Sequence, residues 1–259
     1  MDEYLKRIGA ARPPRPDAES LHELQRRHLL TVPFENLSIH LGEPIVLEER
    51  ALIDKIVGRR RGGFCYELNG AFAALLRSLG YRVTLMAARV FADGSLGPPF
   101  DHMALRVDAP DPWLVDVGFG RFTHRPLRLD LRTDQSDSGG VFRLTETDEG
   151  DLDVLKDGEP QYRLEQRPRA LADYEATCWW QQTSPTSHFA RSLVCSLLTE
   201  EGRLTLTGRL LVRTTRDGRQ ELPLTTDAEV LAAYRDHFGI ELDRVPVLSA
   251  GRPGHSGEV

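Results

Sequence analysis

The chain has 259 residues, of which 40% are hydrophobic and 28% are charged, and its formal net charge is -6. This composition is typical of a globular protein with room for one large core or two smaller ones. The acidic balance argues against a nucleic-acid partner, although it leaves room for a local basic pocket that binds a phosphorylated ligand. No apolar run approaches the roughly 18 residues that cross a bilayer, so we expect no membrane partner.

Three cysteines, Cys65, Cys178 and Cys195, are widely spaced and odd in number. They form neither a disulfide framework nor a CxxC pair, and no Cys/His cluster has zinc spacing, so we expect no metal. The start Met1-Asp2-Glu3 has none of the features of a signal peptide. We therefore predict a cytoplasmic protein with reduced thiols, and interpret Cys178 and Cys195, which have apolar or aromatic neighbours, as structural.

The first third of the chain is predicted to be helical. Asp17 can cap a helix whose apolar face runs from Leu21 to Leu29, and a second helix is predicted over Glu48 to Arg59. The punctuated stretch between them, TVPFENLSIHLGEP, is predicted to be a connecting loop. It contains Glu35 between apolar neighbours, where a buried carboxylate would need a partner.

The stretch RGGFCYELNG, residues 61–70, organises this region. Apolar residues from Leu68 to Leu79 recur every three or four positions, which predicts a buried helix that stops at Gly80 and begins near Cys65. A thiol in the first helical turn is expected to have a lowered pKa. The alternative is a small buried cysteine that only packs the helix. The run Arg59 to Arg61 is the only dense cationic cluster, and its simplest interpretation is a solvated helix end.

From Val83 onward the pattern changes to strands. Residues 83–91, 102–107 and 113–120 are rich in branched and apolar residues, and the last two form a hairpin that opens with His102 and carries Asp116 in its other arm. Short strands are expected at 141–146, 153–155 and 162–164, and a small barrel or curled sheet would bury them.

A short helix is predicted at Ala172 to Trp180, followed by the loop QQTSPTSHF. Two or three strands follow between residues 203 and 224, with a turn at Asp217-Gly218. Thr226 and Glu229 form a capping box that opens a helix ending at Gly239. The last residues, 251–259, have no pattern and are predicted to be a mobile tail.

A cysteine nucleophile needs a base and a group that orients the base. His102 and Asp116 can fill these roles if the hairpin brings them together. The alternative is that one or both have only a structural role. Seven other histidines compete for the role of base. We place His22, His28 and His237 in helices, His40, His124 and His188 in or beside loops, and His255 in the tail.

Five motifs resemble the arylamine N-acetyltransferase family in order and approximate spacing, over essentially Met1 to Leu248. They are PFENL from Pro33, RGGFCYELN from Arg61, His102 before a strand, DVGFG from Asp116, and TSPTSHF from Thr183. The resemblance implies an α+β fold with an N-terminal helical bundle, a central antiparallel β-barrel and a C-terminal α/β lid. Our changes of pattern near Arg82 and Ser192 place these parts at residues 1–82, 83–191 and 192–259.

The resemblance also implies roles for individual residues. Cys65 is expected to accept the acetyl group of acetyl-CoA as a thioester, with His102 as its base and Asp116 orienting that histidine. Arg61 and Glu35 are expected to support the cysteine loop. Thr186 and Trp180 are expected to contact coenzyme A. The segment before His102 departs from the family's small or hydroxyl residues, since it contains Pro98, Pro99 and Phe100, so we assign it no coenzyme contacts.

The implied reaction is ping-pong acetyl transfer from acetyl-CoA to arylamines, arylhydrazines or N-hydroxyarylamines, as in xenobiotic metabolism, and no metal is required. The glycine pair before Cys65 is expected to give the thioester room. One alternative is an amide synthase that releases a polyketide chain from an acyl-carrier thioester as a macrolactam. A second alternative is a cysteine hydrolase or transglutaminase-like enzyme. A third is a non-enzymatic binding protein on the same scaffold.

Overall fold

A computed structural model describes residues 1–248 of the chain. Within this range, a π-helical turn, Asp54–Gly58, extends the fourth α-helix and a 3₁₀ turn, Leu171–Tyr174, precedes the sixth. The α-helices are Asp2–Arg7 (α1), Ala18–Thr31 (α2), Leu37–Leu41 (α3), Glu49–Ile53 (α4), Cys65–Ser78 (α5), Glu175–Thr183 (α6), His188–Arg191 (α7) and Asp227–Phe238 (α8).

The predicted long helices and their caps are confirmed. The Asp17 carboxylate accepts a hydrogen bond from the Ser20 backbone N–H at the start of α2. The helix predicted over Glu48 to Arg59 is present as α4 and its π-helical extension. At the start of α8, Thr226 accepts from the Glu229 backbone N–H and the Glu229 side chain accepts from the Thr226 N–H, as a capping box requires.

The strands fall into two antiparallel sheets, with β3 paired only to β2. They are Phe34–Glu35 (β1), Arg82–Ala92 (β2), Ser95–Leu96 (β3), His102–Asp108 (β4), Pro112–Val115 (β5), Leu127–Arg128 (β6), Gln135–Asp137 (β7), Gly140–Glu146 (β8), Leu152–Lys156 (β9), Glu159–Arg169 (β10), Val194–Leu198 (β11), Gly202–Thr207 (β12), Leu210–Thr215 (β13) and Gly218–Pro223 (β14).

The larger sheet is a nearly closed barrel in the order β6-β5-β4-β2-β10-β9-β8-β7. The Gln135 side chain joins its two edge strands, since its Oε1 accepts from Arg128 N at 2.7 Å and its Nε2 donates to Arg128 O at 2.9 Å. Phe142, Leu152 and Tyr162 are among the fully buried residues of its core. The alternating apolar residues of consecutive strands, which point to one face, explain why the sheet curls around them.

The smaller sheet has the order β1-β11-β12-β13-β14 and forms the C-terminal lid together with α8. Its core contains Leu206, Tyr234 and Phe238, and also Leu37 from the N-terminal third. A third core surrounds α5, which is buried over most of its length. The α+β architecture of helical bundle, antiparallel barrel and α/β lid is therefore confirmed.

The prediction of a connecting loop over residues 31–44 is wrong in part. Phe34 and Glu35 pair with Ser196 and Cys195 of β11, and α3 follows directly. Local sequence could not predict a two-residue strand, because its partner lies about 160 residues further along the chain. His40 and His188, which we placed in or beside loops, lie in α3 and at the start of α7.

The tail predicted to be mobile, residues 251–259, lies outside the described residues. Within residues 1–248, no helix is long and apolar enough to cross a membrane.

The capping box of α8 gives a test of the lid's stability. Thr226→Ala removes the side-chain acceptor for Glu229 N–H and should lower the free energy of unfolding by about 1 kcal/mol, as measured by urea denaturation. Thr226→Ser keeps the acceptor and serves as the matched control. Equal stability of the alanine and serine variants would contradict the stabilising role of Thr226 as the cap of α8.

Candidate active site

Cys65 is the first residue of α5 and is 3% exposed. The helix start is fixed by Glu67, whose Oε2 accepts from the Phe64 backbone N–H at 3.2 Å. Gly118, in the loop after β5, lies against the cysteine: a Cβ added there would lie 2.7 Å from Cys65 Cα. Only glycine allows this loop to approach the helix start so closely.

The glycine pair before Cys65 has a different role from the one we expected. A Cβ on Gly62 would lie 1.9 Å from the Pro33 carbonyl oxygen, and one on Gly63 would lie 2.6 Å from Glu67 Cβ. Gly63 O also accepts from the Glu35 N–H at 2.9 Å. The pair therefore makes room for the neighbouring segment and the Glu67 side chain, rather than for an incoming thioester.

His102 and Asp116 lie together, with His102 Nε2 2.7 Å from Asp116 Oδ2 and both side chains buried. His102 is the first residue of β4, and Asp116 directly follows the last residue of β5, so our prediction that Asp116 lies within a strand is wrong by one residue. The register pairs Leu105 with Val115. This register brings the start of one arm next to the end of the other, as hairpin geometry requires.

Two side chains that we did not single out hold Asp116 in place. Asn69 Nδ2 donates to Asp116 Oδ1 at 3.0 Å, and Tyr162 Oη donates to Asp116 Oδ2 at 3.3 Å. Asn69 is one helical turn after Cys65, so its spacing of four residues could have revealed it. Tyr162 comes from β10, and nothing in the local sequence indicates that its hydroxyl reaches this carboxylate.

The prediction that the helix start lowers the pKa of Cys65 is wrong. Burial raises the pKa of the thiol well above its ordinary value, and the negative charges of Asp101 and Asp116 add to the effect. The backbone of Met103, the residue after His102, opposes the shift by hydrogen bonding to the sulfur. A thiol in this setting ionises only when a nearby base takes its proton.

Asp101 was also missed by sequence reasoning. It directly precedes His102, and burial raises the pKa of its carboxyl group. Gln181 Nε2 donates to its Oδ1 at 2.6 Å, while Gln181 Oε1 lies 2.7 Å from the buried Ser187 Oγ. These contacts link the start of β4 to α6 and to the TSPTSHF motif.

Arg61 and Glu35 form a buried ion pair, with Arg61 Nη2 3.0 Å from Glu35 Oε1. The interpretation of Arg61 as part of a solvated helix end is therefore wrong, since the residue is 3% exposed. Although burial alone would raise the pKa of Glu35, Lys55 and Arg61 hold it below its ordinary value. Lys55 Nζ also lies 2.6 Å from Glu67 Oε1, which joins the pair to the start of α5.

The PFENL motif is hydrogen-bonded to the end of the TSPTSHF motif and to the residues that follow it, through the side chain of Asn36. Asn36 Nδ2 donates to the carbonyl oxygens of Phe189 and Ser192 at 2.9 and 2.6 Å, and its Oδ1 accepts from Val194 N at 2.9 Å. The Phe189 ring packs edge-on against Phe64, the residue before the cysteine, with centroids 5.3 Å apart.

The two residues expected to contact coenzyme A lie near this junction. Thr186 is exposed and its hydroxyl lies 2.8 Å from Ser184 Oγ, whereas Trp180 is half-buried on α6. Among residues 1–248, no group of three or more His, Cys, Asp or Glu side chains is positioned to hold a metal ion.

The buried ion pair can be tested against a surface pair close by in the chain. Arg61→Met leaves Glu35 buried without its closest cation and should lower the free energy of unfolding by about 3–5 kcal/mol. Arg59→Met removes an exposed partner of Glu43 and should cost less than about 1 kcal/mol. Denaturant unfolding of both variants checks the contrast, and equal losses would refute the burial argument.

Comparison with known proteins places the chain in one family. A family model described as N-acetyltransferase matches residues 17–247. The arylamine N-acetyltransferase of Mycolicibacterium smegmatis is 38% identical over 250 residues, covering 92% of this chain and 91% of that protein. The Escherichia coli arylamine N-acetyltransferase is 32% identical, covering 94% and 89% of the two chains.

Solved structures agree with these sequence matches. The Mycobacterium marinum arylamine N-acetyltransferase in complex with CoA has a TM-score of 0.84 at 35% identity, covering 93% of this chain and 92% of that one. The Salmonella typhimurium enzyme has a TM-score of 0.86 at 29% identity, covering 97% and 94%. This chain therefore belongs to the arylamine N-acetyltransferase family.

Proposed function

We propose that this protein transfers the acetyl group of acetyl-CoA to the nitrogen of arylamines, arylhydrazines or N-hydroxyarylamines through an acetyl-cysteine intermediate. The observation that carries the proposal is the buried thiol of Cys65 at a helix start, beside the β4–β5 hairpin that brings His102 and Asp116 within 2.7 Å of each other. The solved complex of a relative with CoA supports coenzyme A as the leaving group.

In the first half-reaction, His102 takes the proton of the Cys65 thiol. Its Nε2 is bonded to Asp116, so Nδ1 is the ring nitrogen that accepts the proton. The sulfur attacks the thioester carbonyl, the bond between that carbon and the coenzyme sulfur breaks, and the imidazolium returns its proton to the departing thiolate. Asp116 stabilises the imidazolium while Asn69 and Tyr162 fix the carboxylate.

In the second half-reaction, the amine nitrogen attacks the carbonyl carbon of the acetylated Cys65. His102 removes a proton from that nitrogen, the carbon–sulfur bond breaks, and the proton passes to the sulfur, which restores the thiol. The Glu67 and Leu68 N–H groups at the start of α5 donate to Phe64 O, whereas those of Cys65 and Tyr66 precede the first turn's bonds and have no acceptor within the helix. They are available to stabilise the oxyanion of both tetrahedral intermediates.

The remaining parts of the proposal concern the surroundings of this centre and the setting of the protein. The buried Arg61–Glu35 pair supports the residues before Cys65. Thr186 and Trp180 contact the coenzyme. The three thiols are all free and buried among the described residues, which suits a reducing, cytoplasmic compartment and a role in xenobiotic metabolism. The comparisons do not favour an amide synthase, because the relatives described above are named arylamine N-acetyltransferases.

Acetylation of the enzyme without an acceptor tests the intermediate. After incubation with acetyl-CoA alone, intact-mass and peptide mapping should locate a single acetyl group on Cys65, and an arylamine or a hydrazine such as isoniazid should discharge it. Cys65→Ala should form no adduct and lose arylamine acetylation. Activity that survives in Cys65→Ala would rule out the mechanism.

The base can be tested by the pH dependence of thiol alkylation. In His102→Gln the thiol keeps its raised pKa without a proton acceptor, so its alkylation by iodoacetamide should be negligible at neutral pH and rise only above the ordinary thiol pKa. At pH 7, the unsubstituted enzyme should be alkylated at least roughly 10²-fold faster than His102→Gln.

Substitution of a second histidine provides the control for this experiment. His237→Gln changes a histidine of α8 and should leave the alkylation profile unchanged. If His102→Gln and the unsubstituted enzyme have the same profile, another group takes the thiol proton.

A further inference from the structure

Two of the six tyrosine hydroxyl groups have no hydrogen-bond partner among residues 1–248. They belong to Tyr174 and Tyr234, whose side chains are both fully buried. A buried hydroxyl without a partner lowers the stability of the folded state, because it has lost its bonds to water and gained none in return. Such a group therefore needs an explanation other than folding stability.

Tyr174 lies between the two segments that carry the catalytic cysteine and histidine. It ends the 3₁₀ turn before α6, and its ring packs against Tyr66, the residue after Cys65, with centroids 5.7 Å apart. The same ring packs edge-on against Phe100, two residues before His102, at 5.4 Å. The Tyr174 side chain is therefore enclosed where the start of α5 meets the start of β4.

The hydroxyl groups of the neighbouring tyrosines are already used. Tyr66 Oη donates to Phe100 O at 2.7 Å, and Tyr162 Oη donates to Asp116 Oδ2 at 3.3 Å. A hydroxyl group has a single proton to donate. Among the described tyrosines around Cys65, Tyr174 is therefore the one whose proton is available to a substrate.

Electrostatic interactions relate the Tyr174 hydroxyl to the reacting sulfur. Burial raises the pKa of Tyr174 above its ordinary value, and the negative charge of the Cys65 thiolate adds more to this shift than Asp173 or Glu165 does. Asp173 is adjacent in the chain, so the stronger effect of Cys65 indicates that the hydroxyl is directed toward the sulfur. Because its pKa is raised, the hydroxyl stays protonated and remains a donor at physiological pH.

The segment that packs against the Tyr174 ring is held in one conformation. Phe100 has a φ of +61°, in the left-handed region that bulky side chains rarely adopt. Thr177 Oγ1 donates to Pro99 O at 3.0 Å, and the Arg169 guanidinium lies 4.9 Å from the centre of the Phe100 ring. Backbone strain of this kind persists only where surrounding contacts fix it, and it is concentrated at functional sites. The orientation of Tyr174 is thus fixed before a substrate binds, as electrostatic catalysis requires.

We propose that the Tyr174 hydroxyl donates a hydrogen bond to the carbonyl oxygen of the acyl group as it is transferred to and from Cys65, which makes Tyr174 a catalytic residue. This role rests on the proposed function, because acetyl transfer places a carbonyl group beside the sulfur. When the sulfur adds to the carbonyl carbon, a carbon–sulfur bond forms and an electron pair moves onto the oxygen. Tyr174 keeps its proton and stabilises this oxyanion together with the free backbone N–H groups of α5. The electron pair returns to carbon as the bond to the leaving group breaks.

Tyr174→Phe removes the hydroxyl and keeps the ring. Acetylation of Cys65 by acetyl-CoA and transfer of the acetyl group to an arylamine should each slow about 10²-fold, because both steps pass through an oxyanion. The free energy of unfolding should be equal to or higher than that of the unsubstituted enzyme, because an unpartnered buried group has been removed. Rapid-quench mass spectrometry and urea denaturation measure the two quantities.

Alkylation of Cys65 by iodoacetamide separates oxyanion stabilisation from a role in activating the thiol. This reaction displaces iodide without forming an oxyanion, so its rate in Tyr174→Phe should stay within about twofold of the unsubstituted rate. Tyr234→Phe is the matched control, because it removes the other unpartnered hydroxyl, which lies in the lid core. It should change neither acetylation nor alkylation.

A donor without coenzyme A, p-nitrophenyl acetate, keeps this test apart from that of the proposed function. If this ester acetylates Cys65 whereas acetyl-CoA does not, the proposed function fails, and the rate with Tyr174→Phe still decides the role of the hydroxyl. If Tyr174→Phe is acetylated as fast as the unsubstituted enzyme, or if its alkylation slows as much as its acetylation, Tyr174 does not stabilise the oxyanion. Equal losses in Tyr234→Phe would also overturn the assignment. If neither donor acetylates Cys65, both proposals fail.

Discussion

The amide of Asn69 joins the helix that carries the cysteine to the hairpin that carries the histidine and aspartate. Its nitrogen donates to Met103 O at 2.6 Å and to Asp116 Oδ1 at 3.0 Å, and its oxygen accepts from Val117 N at 3.0 Å. A buried amide is stable only when its donors and acceptor are used, so these bonds permit little displacement of helix against barrel. The relative position of thiol, imidazole and carboxylate depends on that fixed contact.

Buried charges, in addition to the apolar packing of Phe64, fix the segment before the cysteine. Glu35, Lys55, Arg61 and Glu67 are all buried, and each lies within 4.0 Å of an opposite charge. Removing both charges of such a pair can be nearly neutral for stability. Removing only one is strongly destabilising, because it leaves the other charge buried without a partner. The network therefore gives specificity to the conformation around Cys65, because an altered backbone would separate charges that cannot reach water.

Burial gives the active site its main chemical constraint. It disfavours the free thiolate of Cys65 and raises the pKa of Asp101. The helix dipole acts in the opposite direction, but its effect at a helix start is small compared with full desolvation of a sulfur anion. In the mechanism we propose, proton transfer to His102 avoids isolating a negative charge, since the thiolate would then lie beside an imidazolium whose charge Asp116 balances.

Sequence alone determined the helices with strong periodicity and caps, the strand-rich middle, and Cys65, His102 and Asp116 as a candidate set. These signals are local: a period of three to four residues, a capping pair, or two strands joined by a short turn. The resemblance of five motifs added the architecture and the donor. Asn69 was within reach of the same reasoning, because it is one helical turn from the cysteine.

Only the tertiary structure decided the two-residue strand β1, the contact of Tyr162 with Asp116 and the raised pKa of Cys65. Each depends on residues that are far apart in the chain. The pKa of Cys65 illustrates the reason most directly, since the carboxylates of Asp101 and Asp116 that add to its shift are dozens of residues away in the chain. Composition averages charge over the sequence, whereas electrostatic potential and desolvation depend on which side chains the fold brings within a few ångströms.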